Sequence, residues 1–218
     1  MAFTIRTAVH SDMPSVVSID MVANRETSAL ITMNLLPPAE LEALFTSRYT
    51  HYLSRPSRYR FLLATTSMEE PGGRGREEIV GFLVGAYPKK GGEEVVDFKP
   101  AIPEDERARE LFIWFFGLSA EDKKMWFRDD MWELESLQTS PAYQRRGIGS
   151  LLLTRWVEEV DAANGTTFVR ASPRGRGLYA KFGWVDQSIW SVDVTKYGRA
   201  EPIVNYNMKR EAKEQVST

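Results

Sequence analysis

The sequence predicts an α/β fold of the α+β kind: one mixed sheet with helices on both of its faces. Three observations carry that expectation. Short alternating or β-branched runs recur along the chain, helical stretches with apolar stripes fall between them, and the order reads β-α-α-β-β-(α)-β-α-β-α-β-β. Strands that adjoin early without a crossover, followed by βαβ units, call for a sheet of mixed direction. No internal repeat and no second apolar core breaks the series, and 218 residues can bury a full core. A single domain is therefore expected over 1–210, with 211–218 a charged tail.

Each element has a local reason. Residues 3–8 alternate Phe3 and Ile5 with Thr4 and Arg6, which is a strand pattern. Ser11 or Asp12 then offers an N-cap for a helix to about 23, with Pro14 tolerated in its first turn. Pro38 opens a second helix to about 54, whose Leu41, Leu44, Phe45 and Tyr49 share one face. Strands are expected at 59–66 and 79–87, joined by the polar loop EEPGGRGREE. Segment 88–130 reads as an insertion with an acidic patch, a helix over 103–118 and a dense set of aromatics. A strand follows at 132–139, ended by Pro141, then a helix at 148–164 stopped by Asn164 and Gly165. Residues 166–171 read as a strand, 177–182 as a short helix, and 184–195 and 202–209 as closing strands.

Composition narrows the chemistry. There is no cysteine, which removes thiol nucleophiles, disulfides and zinc–thiolate sites. The two histidines, His10 and His51, lie far apart and have no partner residues nearby in sequence, so no metal site and no catalytic role is assigned to them. Lys plus Arg number 28 against 30 Asp plus Glu, a net charge of -2 that argues against nucleic acid as the partner. The longest apolar run, from Leu111 to Gly117, is far below the ~20 residues of a spanning helix. The start lacks the order of a signal peptide. A cytoplasmic protein without a membrane partner is the expectation.

The informative stretch is WELESLQTSPAYQRRGIGS, from Trp132 to Ser150. A strand enters a turn carrying Gln144, Arg145, Arg146, Gly147, Ile148 and Gly149, and a helix leaves it. The first N–H groups of a helix lack internal partners, and the macrodipole places partial positive charge there. Glycine at 147 and 149 removes side chains from the approach, and Arg145 and Arg146 add full charges at the rim. A phosphate ligand fits. The nucleoside-triphosphatase pattern does not, because Ser150 and Leu151 follow where Lys and Ser or Thr are needed. A dinucleotide loop starting at Gly147 would need a small residue at Leu152. Gly175 to Ala180 satisfies a dinucleotide pattern formally, but Gly183 cuts its helix short.

The run Gln144-Arg145-Arg146-Gly147-Ile148-Gly149 resembles the acetyl-CoA signature of the GCN5-related N-acetyltransferases. Leu178-Tyr179-Ala180-Lys181-Phe182-Gly183-Trp184 is similar to a second motif of that family, at the right distance. The clear resemblance covers about 131–186, and the wording of both motifs looks most like fungal members. It implies a GNAT-like acyl-CoA N-acyltransferase fold, an acetyl-CoA co-substrate, no metal, and direct transfer to a small-molecule or peptide amine. The alternative is a non-catalytic acyl-CoA binder of the same fold. Where many members carry an Asn after the fifth strand, this chain has Arg170-Ala171-Ser172-Pro173, so Ser172 is the polar group left to meet pantetheine.

The resemblance also assigns roles. Loop residues 144–150, Ser150 included, would hold the diphosphate. Main-chain groups at Leu137, Gln138 and Thr139 would meet the pantetheine amides in a splay between the fourth and fifth strands. An amine with an ordinary pKa near ~10.4 must lose a proton before it attacks. Glu133 and Glu135, two apart on one strand and so on one face, are the candidate bases. Tyr179 is the candidate acid for the departing thiolate. The composition of the insertion 88–130 supports two readings: an extra helix that covers one sheet face, or a lid whose aromatics wall the acceptor site and whose acids, Glu93, Glu94, Asp97 and Glu104 to Glu106, attract a cationic amine. Edge strands at the sheet margins leave room for a homodimer.

Overall fold

A computed structural model describes residues 2–25, 36–68, 76–89 and 97–213, the side chain of Lys196 excepted. Its strands are β1 (Phe3–Thr7), β2 (Tyr59–Met68), β3 (Arg76–Ala86), β4 (Trp132–Thr139), β5 (Thr167–Ala171), β6 (Val185–Val192) and β7 (Ile203–Arg210). The helices are α1 (Met13–Ala23), α2 (Pro38–Leu53), α3 (Glu106–Trp126), α4 (Ile148–Ala162) and α5 (Pro173–Lys181). The strands form a seven-stranded sheet in the order β1-β2-β3-β4-β5-β7-β6. Only β4 and β5 run parallel; all other neighbours are antiparallel. The mixed sheet is as the sequence predicts. Nothing in the sequence signalled that β7 inserts between β5 and β6.

Alternation along β2 and β3 sorts the core into two layers. Phe61, Leu63, Phe82 and Val84 face the layer covered by α1, α2 and α3, where Val16, Val17, Tyr49, Phe112 and Phe115 are buried. Leu62, Ala64, Val80 and Leu83 face the opposite layer with Leu152, Leu153, Trp156, Tyr179 and Trp184 from α4, α5 and the turn that follows.

Several boundaries differ from the sequence expectation, each for a local reason. β2 and β3 run on to Met68 and back to Arg76, because polar residues such as Thr66 and Glu78 still pair across the hairpin. Residues 69–75 of the connecting loop, and Gly91, Gly92, Glu93 and Glu94 of the insertion, lie outside the described residues. α3 starts at Glu106 instead of Pro103, since the Asp105 carboxylate caps it by accepting from the Ala108 N–H at 2.8 Å. It then runs past Leu118 to Trp126, and Gly117 in its interior costs only about 1 kcal/mol relative to alanine. α5 begins at Pro173, not Gly177, with Ser172 as N-cap and proline in the first turn.

One glycine couples the sheet to α4. A Cβ at Gly85 would sit 2.3 Å from the Trp156 ring, whose indole is fully buried across β3. Gly85→Ala should therefore destabilise the fold by about 1–3 kcal/mol, the ordinary cost of overpacking. Urea titration of that variant, and of Gly85→Ala with Trp156→Leu, checks it: the double variant should recover part of the loss.

Candidate active site

The site begins with an extra residue in β4. Val84 pairs with Ser136 and Gly85 with Leu134, so Glu135 is a bulge opposite β3. A bulge bends and twists its strand. On the other edge of β4, pairing with β5 stops at the same point: Trp132, Glu133 and Leu134 meet Thr167, Phe168 and Val169, and no later pair follows. The two parallel strands part beyond Leu134. Along this stretch the Ser140 N–H bonds to Val80 on β3, so by alternation Gln138 also turns its main-chain groups toward β3. Those of Leu137 and Thr139 are left facing the gap. Of the three residues expected there, Leu137 and Thr139 turn their main-chain groups to the gap and Gln138 turns its own to β3.

The turn after β4 has the geometry of an anion cradle. Arg145 and Gly147 are left-handed, at φ 63° and 85°, and Gly147 is the N-cap of α4. Gly147 has open space around it, so its glycine answers to the backbone angle and not to crowding. Gly149 is different: a Cβ there would lie 3.2 Å from Leu178, so it lets α4 approach α5. The approach of α4 to α5 is thus a reason for Gly149 beyond the one the sequence reading gave. Ile148 is buried and anchors the turn, while Arg145, Arg146 and Ser150 are exposed around it. Arg146 stands over the Tyr143 ring, and the Gln144 amide donates to the Thr139 carbonyl at 3.3 Å.

On the far side of the sheet a cavity of about 360 Å³ opens against β4. Glu133 and Glu135 line it together, as their shared face predicts, with Arg48 and Tyr52 from α2, Lys123 from α3 and Arg170 from β5. Phe45, Phe98, Phe116 and Phe168 form its apolar wall. Arg48, Tyr52, Lys123 and Arg170 have no sequence motif, and sequence reasoning missed them as site residues. Glu104 and Glu106 are exposed at the start of α3, and none of Glu104, Asp105 or Glu106 lines the cavity. The carboxylates that face it are those of β4.

The charges are interlocked. Lys123 Nζ lies 2.5 Å from Glu133 Oε1, and Arg48 lies 3.9 Å from Glu135 Oε2, which also accepts from the Tyr52 hydroxyl at 3.3 Å. Burial, reinforced by the neighbouring Glu135 carboxylate, pushes Glu133 up to about 7 against the pull of Lys123. Burial lowers Lys123, but Glu133 and Glu135 outweigh it and hold that ammonium above its ordinary value. Behind them Asp20, buried and raised by desolvation, accepts from the Tyr49 hydroxyl at 2.8 Å.

Tyr179 is on the opposite face, in the layer under α4. Its phenol is buried, which pushes it upward, and its ring packs on Trp184 with centroids 6.0 Å apart. It therefore stays protonated at neutral pH. Ser172 spends its hydroxyl oxygen on the Gly175 N–H at 3.3 Å as the cap of α5, leaving its proton free to donate. His51 packs among Tyr52, Tyr59 and Phe98, and His10 is exposed, as structural or surface groups.

Comparison with known proteins bears on the fold. Residues 124–192, which hold the end of α3, β4, the turn, α4, β5, α5 and β6, match the acetyltransferase (GNAT) domain family. A histone acetyltransferase and related acetyltransferase from Corynebacterium glutamicum superposes with a TM-score of 0.61 at 18% identity, over 100% of both chains. The PaiA N-acetyltransferase from Thermoplasma acidophilum, solved with coenzyme A, gives 0.54 at 13% identity over 97% of this chain and 99% of its own. The ribosomal-protein-S18-alanine N-acetyltransferase from Escherichia coli gives 0.50 at 14% over 100% of both. No protein of curated function matches the sequence. The fold is that of the GNAT acyl-CoA N-acyltransferases. Among the described residues no helix is long and apolar enough to cross a membrane.

Two outcomes follow from the site's geometry. Gly147→Ala should cost about 1–2 kcal/mol, because a side chain is forced into the left-handed region, and thermal melting should show Gly147→Asn less affected. The second concerns pH. Glu133 holds its proton more tightly folded than unfolded, where the value is 4.5, so the native state binds the extra proton between about 4.5 and about 7. Stability contributed by this group is present below that window and is lost as pH rises through it. Denaturant midpoints measured from pH 4 to 8 should fall more steeply for the native chain than for Glu133→Gln.

Proposed function

We propose that the protein transfers an acetyl group from acetyl-CoA to a primary amine by direct attack in a ternary complex. One observation carries the reading: β4 and β5 part beyond Leu134, between an anion cradle on one side and a cavity lined by Glu133 and Glu135 on the other. A thioester threaded through that gap would expose its carbonyl to the cavity while its diphosphate rests on residues 144–150.

The residues supply each step. The N–H groups of the Gly147 turn and the side chains of Arg145 and Arg146 hold the diphosphate, with Gln144 and Ser150 at the margins. Main-chain groups of Leu137 and Thr139 pair with the pantetheine amides, and Ser172 donates from the β5 side. The Glu133 carboxylate takes the proton from the amine, which attacks the acetyl carbon as an N–C bond forms. A main-chain N–H of β4 facing the gap steadies the oxyanion. The C–S bond then breaks, and Tyr179 gives its proton to the leaving sulfur. Glu135, two residues from Glu133, helps hold the amine in the cavity. With no cysteine in the sequence and no Ser–His pair among the described residues, direct transfer is favoured over a covalent acyl-enzyme.

Calorimetry with acetyl-CoA and with ATP tests the binding half. Acetyl-CoA should bind one to one and more tightly, and equal or tighter binding of ATP overturns the reading. A panel of amines scored by CoA release tests the chemistry; binding without release on every amine would identify a non-catalytic acyl-CoA binder. Tyr179→Phe keeps the ring and removes the proton, so turnover should drop about a hundredfold with acetyl-CoA affinity unchanged. An unchanged rate when chemistry is limiting returns Tyr179 to a packing role.

A further inference from the structure

The insertion reaches the candidate base through one side chain. Lys123 stands near the end of α3, its stem crossing the Phe127 ring with the ammonium 4.7 Å from the centroid. From there it meets Glu133 Oε1 at 2.5 Å, and its side chain is 35% exposed against 9% for Glu133. Lys123 thus lines the acceptor cavity without closing it. It engages one carboxylate oxygen; the other, Oε2, has no hydrogen-bond partner among the described residues and is free to take a proton.

We propose that Lys123 is a positioning residue for acetyl transfer: its ammonium, delivered by the insertion helix, fixes the Glu133 carboxylate in the cavity in the ionised form that accepts the amine's proton. The inference rests on the reading of Glu133 as the base.

The surrounding charges leave this task to Lys123. Glu135 on the same strand opposes ionisation of Glu133. Arg170 on β5 also faces it, but its guanidinium is spent on Asp122 at 2.6 Å, on Ser119 and on Asn207. Arg58, in the turn before β2, sits over the Tyr59 ring at 5.3 Å and favours the Glu133 charge through its field, but makes no ion pair with it. Arg48 on α2 is turned to Glu135. The Glu135 carboxylate disfavours a second charge at Glu133, and among the described residues Lys123 is the cation in ion-pair contact with Glu133. α3 therefore does more than cover the sheet. It carries the charge that keeps the base in its working state.

The test uses the full chain, with Glu133 followed by carboxyl carbon NMR on glutamate-labelled protein and assigned by its loss in Glu133→Gln. Lys123→Met should raise the Glu133 midpoint by about one and a half to two pH units, Glu135→Gln should lower it, and Lys123→Arg should stay near the native value. With n-butylamine as probe acceptor, Lys123→Met should lose at least tenfold in rate at pH 7 and recover most of it at pH 9. Acetyl-CoA affinity should hold within twofold. Lys123→Gln carries the same expectations if the Met variant does not fold. An unmoved midpoint, or a rate loss equal at all pH values, overturns the role of Lys123 while leaving the acetyltransferase reading intact. If Glu133→Gln keeps the native rate, Glu133 is not the base and the inference falls with it; acetyl-CoA binding and amine turnover still decide the activity separately.

Discussion

A single extra residue in β4 is the constraint on which the site depends. Glu135 has no partner of its own on β3, and the ladder absorbs it by a local kink. That kink coincides with the last β4–β5 pair, Leu134 with Val169. Without it, β4 could stay alongside β5 and no gap would open. The bulge also resets the alternation of β4, so that Glu133, Glu135 and Ser136 all serve the layer of α1, α2 and α3 while Leu134 and Leu137 serve the layer of α4. The same device therefore opens the gap and gathers the acids on one side of it. Backbone geometry comes first, and the electrostatics are built upon it.

Those electrostatics are costly and mutually dependent. A buried carboxylate is expensive unless it is paired, and a pair gains little over apolar packing when both members are removed together. Glu133 with Lys123, Glu135 with Arg48 and Tyr52, and Arg170 with Asp122 are therefore poor investments for stability alone. Their arrangement makes sense as the lining of a chemical site. The two layers differ in what their charges do: under α4 the Arg210–Asp161 pair ties the helix to β7, whereas the layer under α1, α2 and α3 carries Asp20, Arg48 and Glu133 next to its aromatics, with Arg48 and Glu133 lining the cavity.

Sequence reasoning reached the strand–turn–helix from Trp132 to Ala162 nearly residue by residue, because alternation, the proline, the glycines and the helical stripe all agree there. It also placed Glu133 and Glu135 on one face, although simple alternation is only part of the reason. The bulge itself left no mark in the sequence, since Glu and Ser at 135 and 136 look like any other strand residues. Lys123 was hidden for a related reason: Gly117 and the polar run after it suggested an ending, whereas the helix continued on ties to β4 and β5 that only the folded chain supplies. The glycine loop shows a subtler failure. Its glycines were read from the approach of a phosphate, whereas Gly149 also answers to Leu178 on α5, a contact made across the fold.

The position of β7 has a consequence for how the chain assembles. The last strand in sequence is not at the margin of the sheet; it pairs with β5 through Thr167↔Arg210 to Ala171↔Tyr206 and holds β6 outside itself. On the ribosome, β5 must therefore wait with one side unpaired until residues 203–210 have emerged, and β6 has no sheet to join before then. The first four strands can zip by neighbouring contacts, but the half that borders the gap closes only when the C-terminal residues arrive. Synthesis thus closes the β5-β7-β6 half of the sheet after the β1–β4 half, and β7 is the piece that joins β5 to β6.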